Sequence, residues 1–140
     1  MSRGNFKLNL GDPGAAAVFL IGEDDPAAID ALDESARASG ALVLRTSLRD
    51  CRDKDDLLRR LADTFDLPDY FGHNWDALSD CLGDLEWLDA RGYVLLLEHA
   101  RELRDAARAD FDTLIGILDE AADTWRDRDI AFFSFVDVAG

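Results

Sequence analysis

An α/β fold built on a small, mostly parallel sheet is the architecture this sequence predicts, and three observations predict it. Short apolar runs alternate with longer stretches whose apolar residues recur every three or four positions. The runs are continuous rather than alternating, the pattern of strands covered on both faces. Their order, strand–helix–strand–helix–helix–strand–helix–helix–strand, returns the chain to one sheet through right-handed crossovers. At 140 residues and 48% hydrophobic composition the chain can bury one core, so a single domain over 1–140 is expected. No internal repeat or low-complexity tract divides it.

Residues 1–14 are polar with Gly and Pro and read as a loose lead-in. AVFLIG (17–22) is the first strand, apolar throughout and therefore expected to be covered on both faces. Asp25 followed by Pro26 signals a helix start, a capping side chain and then Pro at the first helical position. Ile29, Leu32 and Ala36 share one face of that helix, and Gly40 is its candidate C-terminal cap. ALVLRTS (41–47) is the second strand. DKDDLLRRLADTF (53–65) is the second helix, with Leu57, Leu58, Leu61 and Phe65 in its apolar stripe and acids before bases along the dipole. A loop punctuated by Pro68 and Gly72 leads into NWDALSDCLGDLEWL (74–88), a third helix with Asn74 as its N-cap. YVLLLEH (93–99) is the third strand. ARELRDAARA and DFDTLIGILDEAADTW supply one or two further helices, and DIAFFSFVDV (129–138) is the last strand.

Charge narrows the function. Thirty acidic and 15 basic residues give a formal net charge of −15. Such a chain repels nucleic acid and anionic membranes, and it attracts basic partners and speeds their encounter. No segment approaches the roughly 18 apolar residues needed to cross a bilayer. MSRGNFKLNLGDPG lacks an apolar run followed by a cleavage site, so no secretory signal is expected. Cys51 and Cys81 are too few for a disulfide framework and read as reduced thiols of a cytoplasmic protein. Neither the cysteines nor His73 and His99 have metal-ligand spacing, so no metal, cofactor or catalytic residue is expected. The charge is also unevenly spread. Residues 61–90 hold eight acids and no Lys or Arg, and residues 109–125 hold five acids and no Lys or Arg. If these stretches are neighbours in space, they form one negative face.

The third helix carries the sharpest signal. Leu78, Cys81, Leu82 and Leu85 recur at i, i+3, i+4 and i+7 and face the core. Asp76, Asp80 and Asp84 are thereby turned outward. Asp76 lies in the first turn, where the helix dipole favours a carboxylate, but Asp80 does not. Like charges at i, i+4 weaken a helix by about 0.2–0.5 kcal/mol. Tyr70 and Phe71 lie just upstream and Trp75 opens the helix, so an acidic ridge beside aromatics has the composition of a binding hot spot. On the residues alone the blander alternatives stand. The acids are then an idle solvated face, Trp75 is partly core, Phe71 staples the start of the helix, and Cys81 is a small buried hydrophobe. Paired carboxylates also serve glycosidases. An exposed pair, however, has little cause for a shifted pKa, and no nucleophile–base pair, glycine-rich phosphate loop or metal motif accompanies it.

The run LPDYFGHNWDALSDCL resembles the signature of the barstar family, small intracellular inhibitors of barnase-type ribonucleases, at Leu67, Pro68, Asp69, Tyr70, Phe71, Gly72, Asn74, Asp76, Ala77, Leu78, Asp80, Cys81 and Leu82. The likeness in element order extends over about 41–138. It implies a barstar-like core at 41–140, with residues 1–40 an added strand and helix joining three family strands. Family members plug the ribonuclease active site with this loop and helix, their carboxylates standing in for substrate phosphate. The resemblance then implies that Asp80 enters the phosphate site, Asp76 meets a second cation, Tyr70 packs on the catalytic His, and Gly72 lets the backbone approach closely. Glu120 aligns with a further enzyme-contacting carboxylate. The implied partner-binding set is Tyr70, Phe71, Gly72, Asn74, Trp75, Asp76, Ser79, Asp80, Gly83 and Glu120. The implied partner is a small basic secreted ribonuclease bound 1:1 by a monomer. An immunity protein against another toxin, such as a deoxyribonuclease, and a non-inhibitory acidic interaction domain are the alternatives. The chain departs from the family pattern at Ser79, where a large aromatic is common, at Trp75, which replaces an aliphatic residue, at Asp84-Leu85, and at Thr124, where the best-known member has an acid.

Overall fold

The structure, a computed structural model, describes residues 9–22, 26–67, 74–85 and 88–139. Among them, β1 (Val18–Ile21), β2 (Leu42–Ser47), β3 (Gly92–Glu98) and β4 (Ala131–Asp137) form one all-parallel sheet in the order β1–β4–β3–β2. The two central strands are apolar and buried nearly throughout, and alternate residues serve opposite faces. Leu95, Leu97, Phe132 and Val136 enter the main core beneath α2 (Lys54–Phe65), α3 (Trp75–Leu82), α4 (Arg101–Ala106) and α5 (Arg108–Arg126). Val94, Leu96, Phe133 and Phe135 enter a second core, closed by Ile29, Leu32 and Ala36 of α1 (Pro26–Ala38). The order of elements is the one the sequence predicts, with the region after β3 resolved into two helices by a break at Ala107 (φ −141°, ψ 63°). No described helix is long and apolar enough to cross a membrane.

Local signals explain most boundaries. Pro26 opens α1, while Asp25, its expected cap, lies outside the described residues. Gly40 adopts φ +89° and closes α1 in a Schellman arrangement, its N–H donating to Arg37 O and that of Ala41 to Ala36 O, both at 3.1 Å. The Asp53 carboxylate caps α2 by accepting from Asp56 N at 2.9 Å. The leucines and Phe65 of α2 are buried as its periodicity requires.

Four expectations need correction. Residues 9–14 are not a loose lead-in: Leu10 is buried in the second core, and Asp12 caps a 3-10 turn at Pro13–Ala15. β1 is not covered on both faces. Among the described residues it pairs only with β4, and Leu20 is 53% exposed. A continuous apolar run records hydrophobicity but not which strand lies at the edge. The bases of α2 do not serve its last turn: Arg59 and Arg60 sit mid-helix and bind Asp56, and Arg60 also donates to Ser47 O and Arg49 O. The third helix ends at Leu82 rather than at 88, because Leu85 turns to φ +46° and side chains of the α5 region take the last carbonyls.

Candidate functional site

α3 is positioned from both ends. Asn74 Oδ1 accepts from Ala77 N at 2.8 Å, which fixes where the helix starts. Leu78, Cys81, Leu82 and, just beyond the helix, Leu85 are buried, so the register points Asp76, Asp80 and Asp84 into solvent. At the far end Trp125 Nε1 donates to Leu82 O at 2.7 Å, and Arg128 Nη1 donates to Gly83 O at 2.7 Å. A buried indole N–H needs an acceptor, and a helix C-terminus has carbonyls to spare. The Arg128 guanidinium stacks 4.7 Å over the Trp125 ring. These bonds tie α3 to α5 and bring the two Lys- and Arg-free stretches together.

α5 buries Phe111, Leu114, Ile117, Leu118, Ala121, Ala122 and Trp125 as one stripe. Its opposite flank leaves Asp119, Glu120 and Asp123 exposed. A groove of about 360 Å³ runs between the helices, lined by Ser79 and Gly83 from the α3 side and by Ile117, Glu120, Ala121, Asp123 and Thr124 from α5.

The electrostatics separate this face from the remainder. Among the described residues, no ion pair involves Asp76, Asp80, Asp84, Asp119 or Glu120. Asp123 alone in the groove is paired, with Arg126 at 2.9 Å. By contrast, Arg45 binds Glu98 at 2.7 Å, Asp30 at 2.9 Å and Asp33 at 3.0 Å, and Asp33 also pairs with Arg37. Burial pushes the Asp33 carboxyl upward, but the hydrogen bonds from Arg37 and Arg45 outweigh it and hold the group below its usual range. The hydrogen bond from Arg60 does the same for Asp56. Burial, and then the Asp80 and Asp84 charges, push the Cys81 thiol upward, so it is a protonated core residue rather than a nucleophile.

The expected partner-binding residues are distributed as follows. Tyr70, Phe71 and Gly72 lie outside the described residues. Asn74 is the helix cap, and Trp75 is half-buried against the main core. Asp76 and Asp80 project outward, whereas Ser79, Gly83 and Glu120 meet at the groove. Gly83 sits at φ −81°, ψ −10°, and a Cβ there would stand 3.5 Å from Ser79 O, so its backbone does not demand glycine. Sequence reasoning missed Trp125 and Arg128 as the ties to α3, and Ile117 and Ala121 as the groove floor. The buried-face position of Trp125 signalled that its indole needs an acceptor, but nothing local says which carbonyl supplies it.

A family model described as Barstar (barnase inhibitor) matches residues 41–137, from the start of β2 to the end of β4. No curated protein matches the chain.

Proposed function

The chain belongs to the barstar family, and on that premise we propose that it inhibits a small basic secreted ribonuclease of the barnase type. Its family is one of inhibitors rather than enzymes. On this reading α3 and the loop before it cover the enzyme's active site. Asp80 takes the place of a substrate phosphate, Asp76 and Glu120 meet further cations, Tyr70 packs on the catalytic His, and Gly72 permits close approach. Arginine forks match carboxylates and phosphates alike, which is why a carboxylate can substitute for the scissile group. The chain acts as a cytoplasmic monomer forming a 1:1 complex. Residues 41–140 are the inhibitory core, and residues 1–40 are an extension of a single domain.

The observation that carries the reading is the set of acids on α3 and α5 that meet no cation within the described residues, beside acids elsewhere that do. Their mutual repulsion is relieved only when an external cation arrives. The test is titration of the protein into a barnase-type ribonuclease assay. Tight inhibition that weakens with salt is expected. Asp80→Ala is expected to cost about 3–5 kcal/mol of affinity, because enzyme cations are then left buried and unpaired. The barnase–barstar pair is itself a reference case for such coupling, so that magnitude is carried over rather than derived from this geometry. A loss under about 1 kcal/mol, the level of an ordinary surface pair, would sink the assignment.

Ser79 and Thr124, which leave the groove between α3 and α5 open, favour one second reading: an immunity protein of the same fold against a different toxin. Inhibition of a deoxyribonuclease toxin with no effect on barnase-type ribonucleases would establish it.

A further inference from the structure

We propose that a hollow at the C-terminal edge of the sheet, bordered by Arg49 and Arg101, binds a small organic carboxylate. The site is separate from the acidic face of α3 and α5 and does not rest on the ribonuclease reading.

The hollow has a volume of about 570 Å³. Arg49 comes from the turn after β2, His99 from the residue after β3, and Ala139 from just beyond β4, so it opens where three parallel strands end. α4 supplies another wall through Arg101, Glu102 and Asp105. The carboxyl ends of parallel strands are where α/β folds keep ligand crevices, and the volume suits a small molecule. The end of α3 lies at the other edge of the sheet: Leu82 and Gly83 are bonded from Trp125 and Arg128, just ahead of the first residue of β4.

The two carboxylates of the hollow are already engaged. Glu102 accepts from Asp50 N at 3.2 Å and pairs with Arg52. Asp105 lies 3.4 Å from Arg104 and 3.5 Å from Arg101. Arg49 differs. In a chain of net charge −15 its guanidinium meets no carboxylate among the described residues. It lies 3.1 Å from His99 Nε2, and because a guanidinium has donors only, the imidazole nitrogen accepts. The Arg49 backbone is held on both sides, its N–H donating to Ser47 Oγ at 3.1 Å and its carbonyl accepting from Arg60 Nη1 at 2.7 Å. His99 sits at φ +58°, in the left-handed region that a residue with a Cβ enters at a cost. That turn carries the chain from β3 into α4, where Ala100 N donates to Asp137 O at 2.8 Å.

These features select the ligand. A carboxylate matches a guanidinium fork through two parallel hydrogen bonds. The 3.5 Å contact between Arg101 and Asp105 is longer than a good hydrogen bond, so Arg101 can turn to the same anion at little loss. Glu102 and Asp105 border the hollow and oppose a second negative charge, which disfavours a phosphate dianion. Ala106 and Ala139 present methyl groups, which suit a short apolar body on the carboxylate.

The test is titration of the full chain with sodium propionate at constant ionic strength, in a buffer free of other oxyanions, followed through backbone amide chemical shifts. Saturable shifts are expected at Arg49, His99, Arg101, Ala106 and Ala139, with a dissociation constant of about 1–10 mM, and none at α3. Arg49→Gln should weaken binding at least about fivefold and Arg101→Gln about twofold. Both side chains are exposed, so the variants keep the fold. His99→Gly relieves the positive φ yet removes the group that holds Arg49, and should weaken binding about threefold while leaving the melting temperature unchanged or higher. The proposal is overturned if inorganic phosphate binds as tightly as propionate. It is equally overturned if the shifts do not saturate, if they spread over every exposed arginine, or if Arg49→Gln leaves them unchanged.

Discussion

Arg45 gathers three carboxylates, Asp30 and Asp33 from α1 and Glu98 at the end of β3, while Asp76 and Asp80 on α3 and Glu120 on α5 are exposed and meet no cation among the described residues. Both groups are surface acids of one very acidic chain. The first are neutralised from within and help hold α1 to the sheet. The second meet no cation among the described residues, and the i, i+4 pair of Asp76 and Asp80 weakens α3 by repulsion. What separates them is the placement of basic residues along the sequence: residues 61–90, which include α3, and residues 109–125, the interior of α5, hold no Lys or Arg. On the proposed reading, an acid that meets no cation among the described residues is stability withheld for something outside the molecule.

The comparison can be broken by exchanging the roles of the two groups. The largest expected effect is Asp80→Ala, which should remove about 3–5 kcal/mol from ribonuclease binding and leave the unfolding midpoint in urea unchanged or slightly higher. Loss of folding stability in that variant would place Asp80 with the first group. Arg45→Ala should do the reverse. A destabilisation of about 1 kcal/mol is expected, allowing for the solvent-facing side of the cluster, with inhibition unaltered. If inhibition fell too, the two groups would not be independent.

Acid sharpens the distinction. The folded-state pKa values of Asp33 and Asp56 are held below the ordinary carboxylate range, Asp33 by its arginines against the pull of burial and Asp56 chiefly by its bond from Arg60. A depressed folded pKa stabilises above the unfolded value of about 4, and that contribution is lost as pH falls through the folded value. The urea midpoint of the free protein should therefore drop between about pH 5 and pH 2, and the drop should be smaller in Arg45→Ala. The smallest effect is Asp80→Asn, expected to raise stability by about 0.3 kcal/mol through relief of the Asp76 repulsion, visible as a small upward shift in melting temperature.

Much of this was legible before the structure. Burial is written locally, so the periodicity of 53–65 and the continuous runs at 93–99 and 129–138 place strands and helices within a few residues of where they lie. The outward register of Asp76 and Asp80 follows from the same rule. What was not legible depends on partners distant in the chain. Among the described residues β1 pairs only with β4 and leaves Leu20 exposed, and no local pattern says which strand lies at the edge. α3 stops at Leu82 because Trp125, 43 residues away, takes its carbonyl. The smallness of Ser79 acquires meaning only once Thr124 lies across the gap.

The two bonds at the end of α3, from Trp125 to Leu82 O and from Arg128 to Gly83 O, have a consequence for the cost of association. They fix the spacing between the carboxylates of α3 and Glu120 before any partner arrives, so the partner meets a template already assembled. Ordering two separate helices at the moment of contact would consume conformational entropy and weaken the complex without removing a single contact. Loosening the joint, for example with Trp125→Phe, is therefore expected to appear as faster dissociation from carboxylates that have not themselves changed.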